Sequence, residues 1–241
     1  MQPTSMTARP RLLLTGVPPA TVLARAEALF DLKVWREAEP IGAALQEQLQ
    51  GCDALVLMPG DRLDAAAIAA LPDSVQVLGT YSVGTDHIDL RAASARGLRV
   101  FHTPDVLTEA VADLTLFLII AAARGTTAAE RTLREGRWGR WTPTLMLGRS
   151  LQGLRLGVFG MGRIGEALAQ RGHCGFGMPV IYHSHSPKPA VEARFGAQYR
   201  SLQDLLKEAD FVCLTLPLTA ETEKLIGAEE FALMGPEDRK S

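Results

Sequence analysis

Apolar residues fall along the first hundred positions in short, nearly unbroken blocks, each followed by a stretch with helical spacing. Residues 11–15 (RLLLT) read as a strand, 20–30 as a helix and 32–35 as a second strand. Residues 54–58 (ALVLM) predict a buried strand, 63–71 a helix and 75–79 another strand. The loop Tyr81-Ser82-Val83-Gly84-Thr85-Asp86-His87 follows, then a helix over 90–96 and a strand over 98–101. Continuous apolar strands between helices, rather than alternating ones, predict a parallel sheet covered on both faces.

Pro104 opens a second region. Residues 108–124 are rich in Ala and Leu and apolar nearly all round, which predicts a buried connecting helix. Residues 136–148 carry Trp138, Trp141 and Pro143 and read as an exposed arm. Two roles fit it: a protein contact surface or packing onto its own domain. From residue 154 a second α/β unit begins. Strands are expected over 154–159, 180–183, 197–199 and 211–216 (FVCLTL), the last ending at Pro217. Helices are expected from Glu166 through Arg171 and over 202–208 and 228–234, before a polar end, GPEDRKS. The chain therefore divides into residues 1–103 and 104–241, with no internal repeat and no low-complexity linker.

The run LRLGVFGMGRIGEALAQRG at 154–172 carries the sharpest chemical signal. A strand feeds Gly160-Met161-Gly162-Arg163-Ile164-Gly165, and a helix follows. That context turns G-x-G-x-x-G into a dinucleotide-binding fingerprint. Gly160 permits the tight turn, Gly162 lets the backbone approach a pyrophosphate, and Gly165 lets helix pack on strand. The helix N-terminus offers unpaired N–H groups and partial positive charge to the phosphates.

Composition narrows the classes. The 241 residues are 47% hydrophobic and 22% charged, with a formal net charge of -2. Basic residues are scattered, so no nucleic-acid footprint is expected. The longest apolar run, 114–123, is too short to span a bilayer, and no membrane partner is expected. Residues 1–10 lack the charged-then-apolar pattern of a signal peptide. Cys52, Cys174 and Cys213 lack C-x-x-C spacing and sit in apolar surroundings. Three buried reduced thiols in a cytoplasmic protein are expected, with no metal site.

Four blocks together resemble the D-isomer-specific 2-hydroxyacid dehydrogenases: YSVGTDHIDL (81–90), TPDVLTEAVADLTLFLIIAAARG (103–125), GVFGMGRIG (157–165) and LPLTAETEKLIG (216–227). Within that family the segment WTPTLMLG…GFGMPVIYHSHSP is most similar to glyoxylate/hydroxypyruvate reductases. The resemblance implies a flavodoxin-like substrate domain and a doubly wound Rossmann-type cofactor domain, incomplete at its C-terminal end. It implies that backbone N–H groups of Val83 and Gly84 receive the carboxylate of a small 2-oxo or 2-hydroxy acid. A strand-to-loop exit with a glycine can form such an anion-binding nest. It places Thr108 near the nicotinamide; a helix N-cap is the alternative role, and the two are compatible. Met161, Arg163, Ile164, Leu216, Pro217 and Thr222 join the three glycines as implied cofactor contacts. A homodimer through the long helix and the tryptophan arm is also implied.

The acid that binds the ribose hydroxyls in an NAD enzyme is expected about twenty residues beyond the glycines. That position is Ser184, with His183, His185, Ser186 and Lys188 around it. No carboxylate stands there to repel a 2′-phosphate, and hydroxyls, imidazoles and a lysine tolerate one. NADPH is therefore favoured over NADH, with a non-discriminating neutral loop as the alternative.

By resemblance, an arginine clamps the substrate, a histidine donates the proton and a glutamate holds that histidine; all three lie beyond the region matching 216–234. His87, His102, His173, His183 and His185 do not match the proton donor, and Arg239 is not at a strand end. The expectation is a truncated or frame-shifted enzyme with no catalytic residue of its own, impaired or inactive, and with strand 211–216 left as an open apolar edge. The alternative is a non-catalytic nucleotide-binding or interaction protein on the same fold.

Overall fold

The computed structural model describes residues 9–35 and 43–234. The polar end at 235–241, with Arg239, and the first eight residues lie outside the described part. The chain forms two compact units that divide between Val106 and Leu107.

The first unit runs β1 (Arg11–Leu14), α1 (Ala20–Leu29), β2 (Asp31–Val34), α2 (Ala43–Gln48), β3 (Ala54–Leu57), α3 (Ala65–Ala69), β4 (Val77–Thr80), α4 (Leu90–Ala95) and β5 (Arg99–Phe101). Its five strands form a parallel sheet of order β2-β1-β3-β4-β5. This is the flavodoxin-like order. Leu13, Leu55, Leu57 and Leu78 fill its core with Leu45, Leu49, Ile68 and Ala93. β1 and β4 are buried on consecutive residues, hence on both faces, which is why they read as apolar runs. Asp53, just before β3, accepts the Arg11 N–H at 2.7 Å and so ties the starts of two neighbouring strands together.

The second unit opens with α5 (Thr108–Arg124) and α6 (Thr126–Arg134), joined at Gly125. Gly125 has φ +60°, a left-handed conformation that ends one helix and turns the chain into the next. After the irregular arm come β6 (Leu156–Phe159), α7 (Arg163–Gln170) with a π-helical turn over Arg171–Gly175, β7 (Val180–His183), α8 (Pro189–Phe195), β8 (Gln198–Tyr199), α9 (Leu202–Glu208), β9 (Phe211–Leu214) and α10 (Ala228–Leu233). The parallel sheet has the order β8-β7-β6-β9, the arrangement of a doubly wound half-fold around its first strand. Among the described residues β9 is an edge strand, with Leu214 exposed.

Helix α5 departs from the expectation of burial. Only Ala112 and Ile119 are buried, while Leu114, Phe117 and Leu118 are each more than half exposed. One stripe packs into the core with Leu168 of α7, and the opposite stripe has no cover among the described residues. Arg171 bolts the packed side: its guanidinium holds Glu109 at 2.7 Å and Asp113 at 2.6 Å and also donates to the Ala167 carbonyl. The bonds to Glu109 and then Asp113 raise the arginine's pKa. No single helix among the described residues is long and apolar enough to cross a membrane.

Candidate active site

The second unit's glycines divide their work. β6 is buried along its whole length. Gly160, at its exit, has φ +103°, and a Cβ there would lie 2.7 Å from the Thr215 carbonyl oxygen. Only glycine takes that conformation without strain. Its N–H donates to His183 O at 2.8 Å, and its carbonyl accepts from Thr215 Oγ1 at 2.6 Å. A Cβ on Gly165 would press into the Gly160 carbonyl and sit 3.1 Å from both Thr215 Oγ1 and Val158 Cγ1. Gly162 is different. It is exposed, and a Cβ there would meet nothing within 4 Å. Two glycines are thus required by packing, and the third leaves an open backbone face.

That face adjoins the start of α7. Gly162 is the N-cap and supplies no capping side chain, so nothing from the cap itself covers the start of the helix. Met161 is buried and contributes only backbone to the turn; Arg163 is exposed and Ile164 half-buried. The one acid in the first turn, Glu166, is paired with Arg194 of α8, which offsets its repulsion of an incoming phosphate. Leu216 and Pro217 follow Thr215, whose N–H bonds Phe159 O at 2.9 Å, and Leu216 Cδ2 approaches to 2.9 Å of the position a Gly160 Cβ would take. Thr222 donates to Pro217 O at 2.7 Å and accepts the Thr219 N–H at 2.8 Å, closing the turn after β9.

The loop after β7 is more constrained than its sequence indicated. Ser184 is buried, and its hydroxyl donates to Ser186 O at 2.6 Å. His185 and Ser186 are exposed. Tyr182 and Glu192 went unnoticed in the sequence. The Tyr182 hydroxyl donates to Glu192 at 2.6 Å and accepts the Lys188 N–H at 2.6 Å, so one side chain fixes both ends of the loop. Burial, then the bond to Glu192, pushes the Tyr182 phenol up to about 12. Proline at the start of α8 with Val191 and Phe195 on one face was the available signal.

In the first unit, Val83 and Gly84 lie in the loop after β4. Their N–H groups donate to no acceptor among the described residues. The carbonyls around them are all engaged: Ser82 O by the Thr103 N–H (2.9 Å), Val83 O by His102 Nδ1 (2.9 Å) and Gly84 O by the Ser82 hydroxyl (2.7 Å). Behind Ser82, Thr80 Oγ1 contacts Ser82 Oγ at 2.6 Å and His87 Nε2 at 2.8 Å. The sequence marked neither His87 nor His102 as a support for this loop.

Two expectations are corrected. The N-cap of α5 is Leu107, not Thr108, which is the first helical residue and makes no side-chain hydrogen bond among the described residues. The chain enters the helix one residue earlier than the Thr signal indicates. Cys174 is exposed rather than buried, because the π-helical turn carries it outward; Cys52 and Cys213 are buried. No group of His, Cys, Asp and Glu suited to a metal ion exists among the described residues.

Comparison with known proteins bears on the same regions. Residues 116–239 match the family model of the D-isomer specific 2-hydroxyacid dehydrogenase NAD binding domain. The glyoxylate reductase of Thermococcus kodakarensis is 40% identical over 231 residues, which cover 94% of this chain and 69% of that enzyme. The crystal structure of a protein from Thermus thermophilus is 44% identical with a TM-score of 0.84, covering 93% of this chain and 70% of that one. D-lactate dehydrogenase from Aquifex aeolicus, complexed with NAD and lactic acid, is 31% identical with a TM-score of 0.81, covering 92% and 66% respectively.

Proposed function

Because the chain belongs to the D-isomer-specific 2-hydroxyacid dehydrogenase family, whose members are oxidoreductases with a nicotinamide cofactor, we propose that it is built to act on a small 2-oxo acid, glyoxylate or hydroxypyruvate, with NADPH. The observation that carries this reading is the open backbone face at Gly162 between two glycines locked by packing. Gly162, Arg163 and Ile164 present backbone to the pyrophosphate, Gly160 and Gly165 shape the turn that exposes it, and Met161 contributes main chain alone. Leu216, Pro217 and Thr222 flank the adenosine half, and Thr108 lies toward the nicotinamide. When bound, the cofactor supplies the hydride. In the first unit, Val83 and Gly84 N–H groups receive the carboxylate.

NADPH is favoured because the loop after β7 offers Ser186, His185 and Lys188, while its acid, Glu192, is held by Tyr182. Ser184, at the ribose position, also shapes the loop by donating to Ser186 O.

The 241 residues alone bind cofactor weakly, if at all, and turn over little. His87 and His102 are committed to the first unit's loop, and His183 Nδ1 donates to Arg200 O at 2.8 Å. The chain matches 69% of the T. kodakarensis reductase, and the clamp, the proton donor and its partner acid are assigned to the remainder. A second reading, a nucleotide-binding protein without catalysis, rests on the same commitment of the histidines. A homodimer forms through Leu114, Phe117 and Leu118 of α5 with Trp138 and Trp141 of the arm, all exposed in the single chain. The unpaired thiols fit the reducing cytoplasm.

The test is NADPH oxidation with glyoxylate and with hydroxypyruvate, together with NADPH and NADH binding. Tight NADPH binding without turnover favours the non-catalytic reading. Robust turnover refutes the proposed inactivity. NADH binding as tight as NADPH refutes the cofactor preference.

A further inference from the structure

The carbonyls of Ser82, Val83 and Gly84 are each held by a donor, and donor counting fixes how. Ser82 has one hydroxyl proton, and it goes to Gly84 O. Ser82 Oγ therefore accepts from Thr80. The single Thr80 proton is then spent, so Thr80 accepts from His87, whose Nε2 must carry a hydrogen. The result is a directed relay, His87 Nε2–H to Thr80 to Ser82 to the Gly84 carbonyl. Thr80 at its centre is buried. A second pin is independent of it: a carbonyl only accepts, so His102 donates its Nδ1–H to Val83 O.

These pins act on groups they do not touch. A trans peptide is planar, with its N–H opposed to its C=O, and the described chain contains no cis bond. Holding the Val83 carbonyl therefore aims the Gly84 N–H the other way. Holding the Gly84 carbonyl does the same for Thr85, and the Thr103 N–H on Ser82 O does it for Val83. We propose that the His87–Thr80–Ser82 relay and His102 are positioning residues that aim the consecutive N–H groups of Val83, Gly84 and Thr85 at the substrate carboxylate, with Thr85 a third donor. This rests on the carboxylate reading of Val83 and Gly84. It explains why one half-buried histidine, one exposed histidine and a buried threonine converge on one short loop: the nest is preorganised before an anion arrives.

The test uses oxamate, an unreactive 2-oxo-acid isostere, titrated into the isotope-labelled 241-residue chain while backbone amide resonances are followed. In the wild-type chain the amides of Val83, Gly84 and Thr85 move together on one binding curve. Thr80→Val keeps the shape and breaks the relay; His102→Ala removes the other pin. Each weakens oxamate binding about three- to tenfold, the worth of an ordinary hydrogen bond, and leaves resonances outside the loop in place. Thr80→Ser and His102→Asn keep a donor and restore binding to within about twofold. If Thr80→Val instead displaces resonances throughout the first unit and Thr80→Ser fails to restore binding, Thr80 is a packing element and the relay is overturned. If oxamate leaves all three wild-type amides still, the carboxylate reading and this proposal fall together. If those amides respond but Thr80→Val and His102→Ala bind as wild type does, the pins are overturned and the carboxylate reading stands. If Thr85 alone stays still, its role as third donor is overturned.

Discussion

Gly162 and Gly165 stand three residues apart in one turn, yet alanine should act on them in opposite ways. At Gly165 the new methyl meets the Gly160 carbonyl well inside contact distance, and Val158 Cγ1 and Thr215 Oγ1 at 3.1 Å. The Gly160 carbonyl cannot retreat freely, because Thr215 Oγ1 holds it at 2.6 Å. Overpacking of this kind costs about 1–3 kcal/mol, or about 2–4 °C in Tm for each kcal/mol in a chain of this size. At Gly162 the backbone has φ -89° and ψ -164°, open to any residue, and the methyl meets nothing within 4 Å. Replacing glycine by alanine at an N-cap costs about 0.5–1 kcal/mol. The same methyl occupies the face proposed for the pyrophosphate, so NADPH affinity should fall at least about tenfold, near 1.4 kcal/mol. Thermal denaturation and titration calorimetry on both variants separate the effects. Gly162→Ala with wild-type NADPH affinity, or Gly165→Ala with wild-type stability, refutes the division of labour among the glycines.

Three further outcomes follow. Tyr182 has its phenol raised to about 12, against an ordinary value near 10; the unfolded chain therefore ionises first, and this contribution to stability is lost as pH rises from about 10 to about 12. Tyr182→Phe should flatten that alkaline limb, cost about 1–3 kcal/mol near neutral pH by orphaning the Lys188 N–H, and weaken NADPH binding; an unchanged pH–stability profile contradicts it. A thiol reagent at mildly alkaline pH should label Cys174 promptly, whereas Cys213, pushed up to about 12 by burial, and Cys52, also raised by burial, react only on unfolding; equal labelling of all three contradicts the burial. In the proposed homodimer, Phe117→Ser with Trp138→Ala should shift sedimentation from dimer to monomer without loss of helicity; a wild-type chain that sediments as a monomer contradicts the dimer, and a variant dimer unaltered from wild type removes that face from the interface.

The parallel sheets and the glycine turn were legible because both leave local marks: fully buried strands must be apolar throughout, and Gly160 must be glycine to hold a positive φ. Helix α5 misled because apolarity reports that a face wants cover, not that its own chain covers it. Helix α6 escaped notice because its sequence, TTAAERTLR, is polar and is set off only by Gly125. At the site, Val83 and Gly84 were marked by resemblance, but the side chains holding their carbonyls were not. His102 lies 19 residues from Val83, and such a contact exists only once β4 and β5 pair. At Ser184 the sequence marked a hydroxyl at the ribose position but not its local bond: folding turns its proton onto Ser186 O.

The central claim is that the turn from β6 into α7 holds the cofactor's pyrophosphate. A crystal structure of the 241-residue chain grown with NADPH tests it most directly. The account predicts pyrophosphate oxygens within hydrogen-bonding distance of the Gly162, Arg163 and Ile164 N–H groups, with the adenosine phosphate beside Ser186 and Lys188. Bound NADPH seated elsewhere, or a pyrophosphate kept from that turn by an intervening side chain, would contradict it.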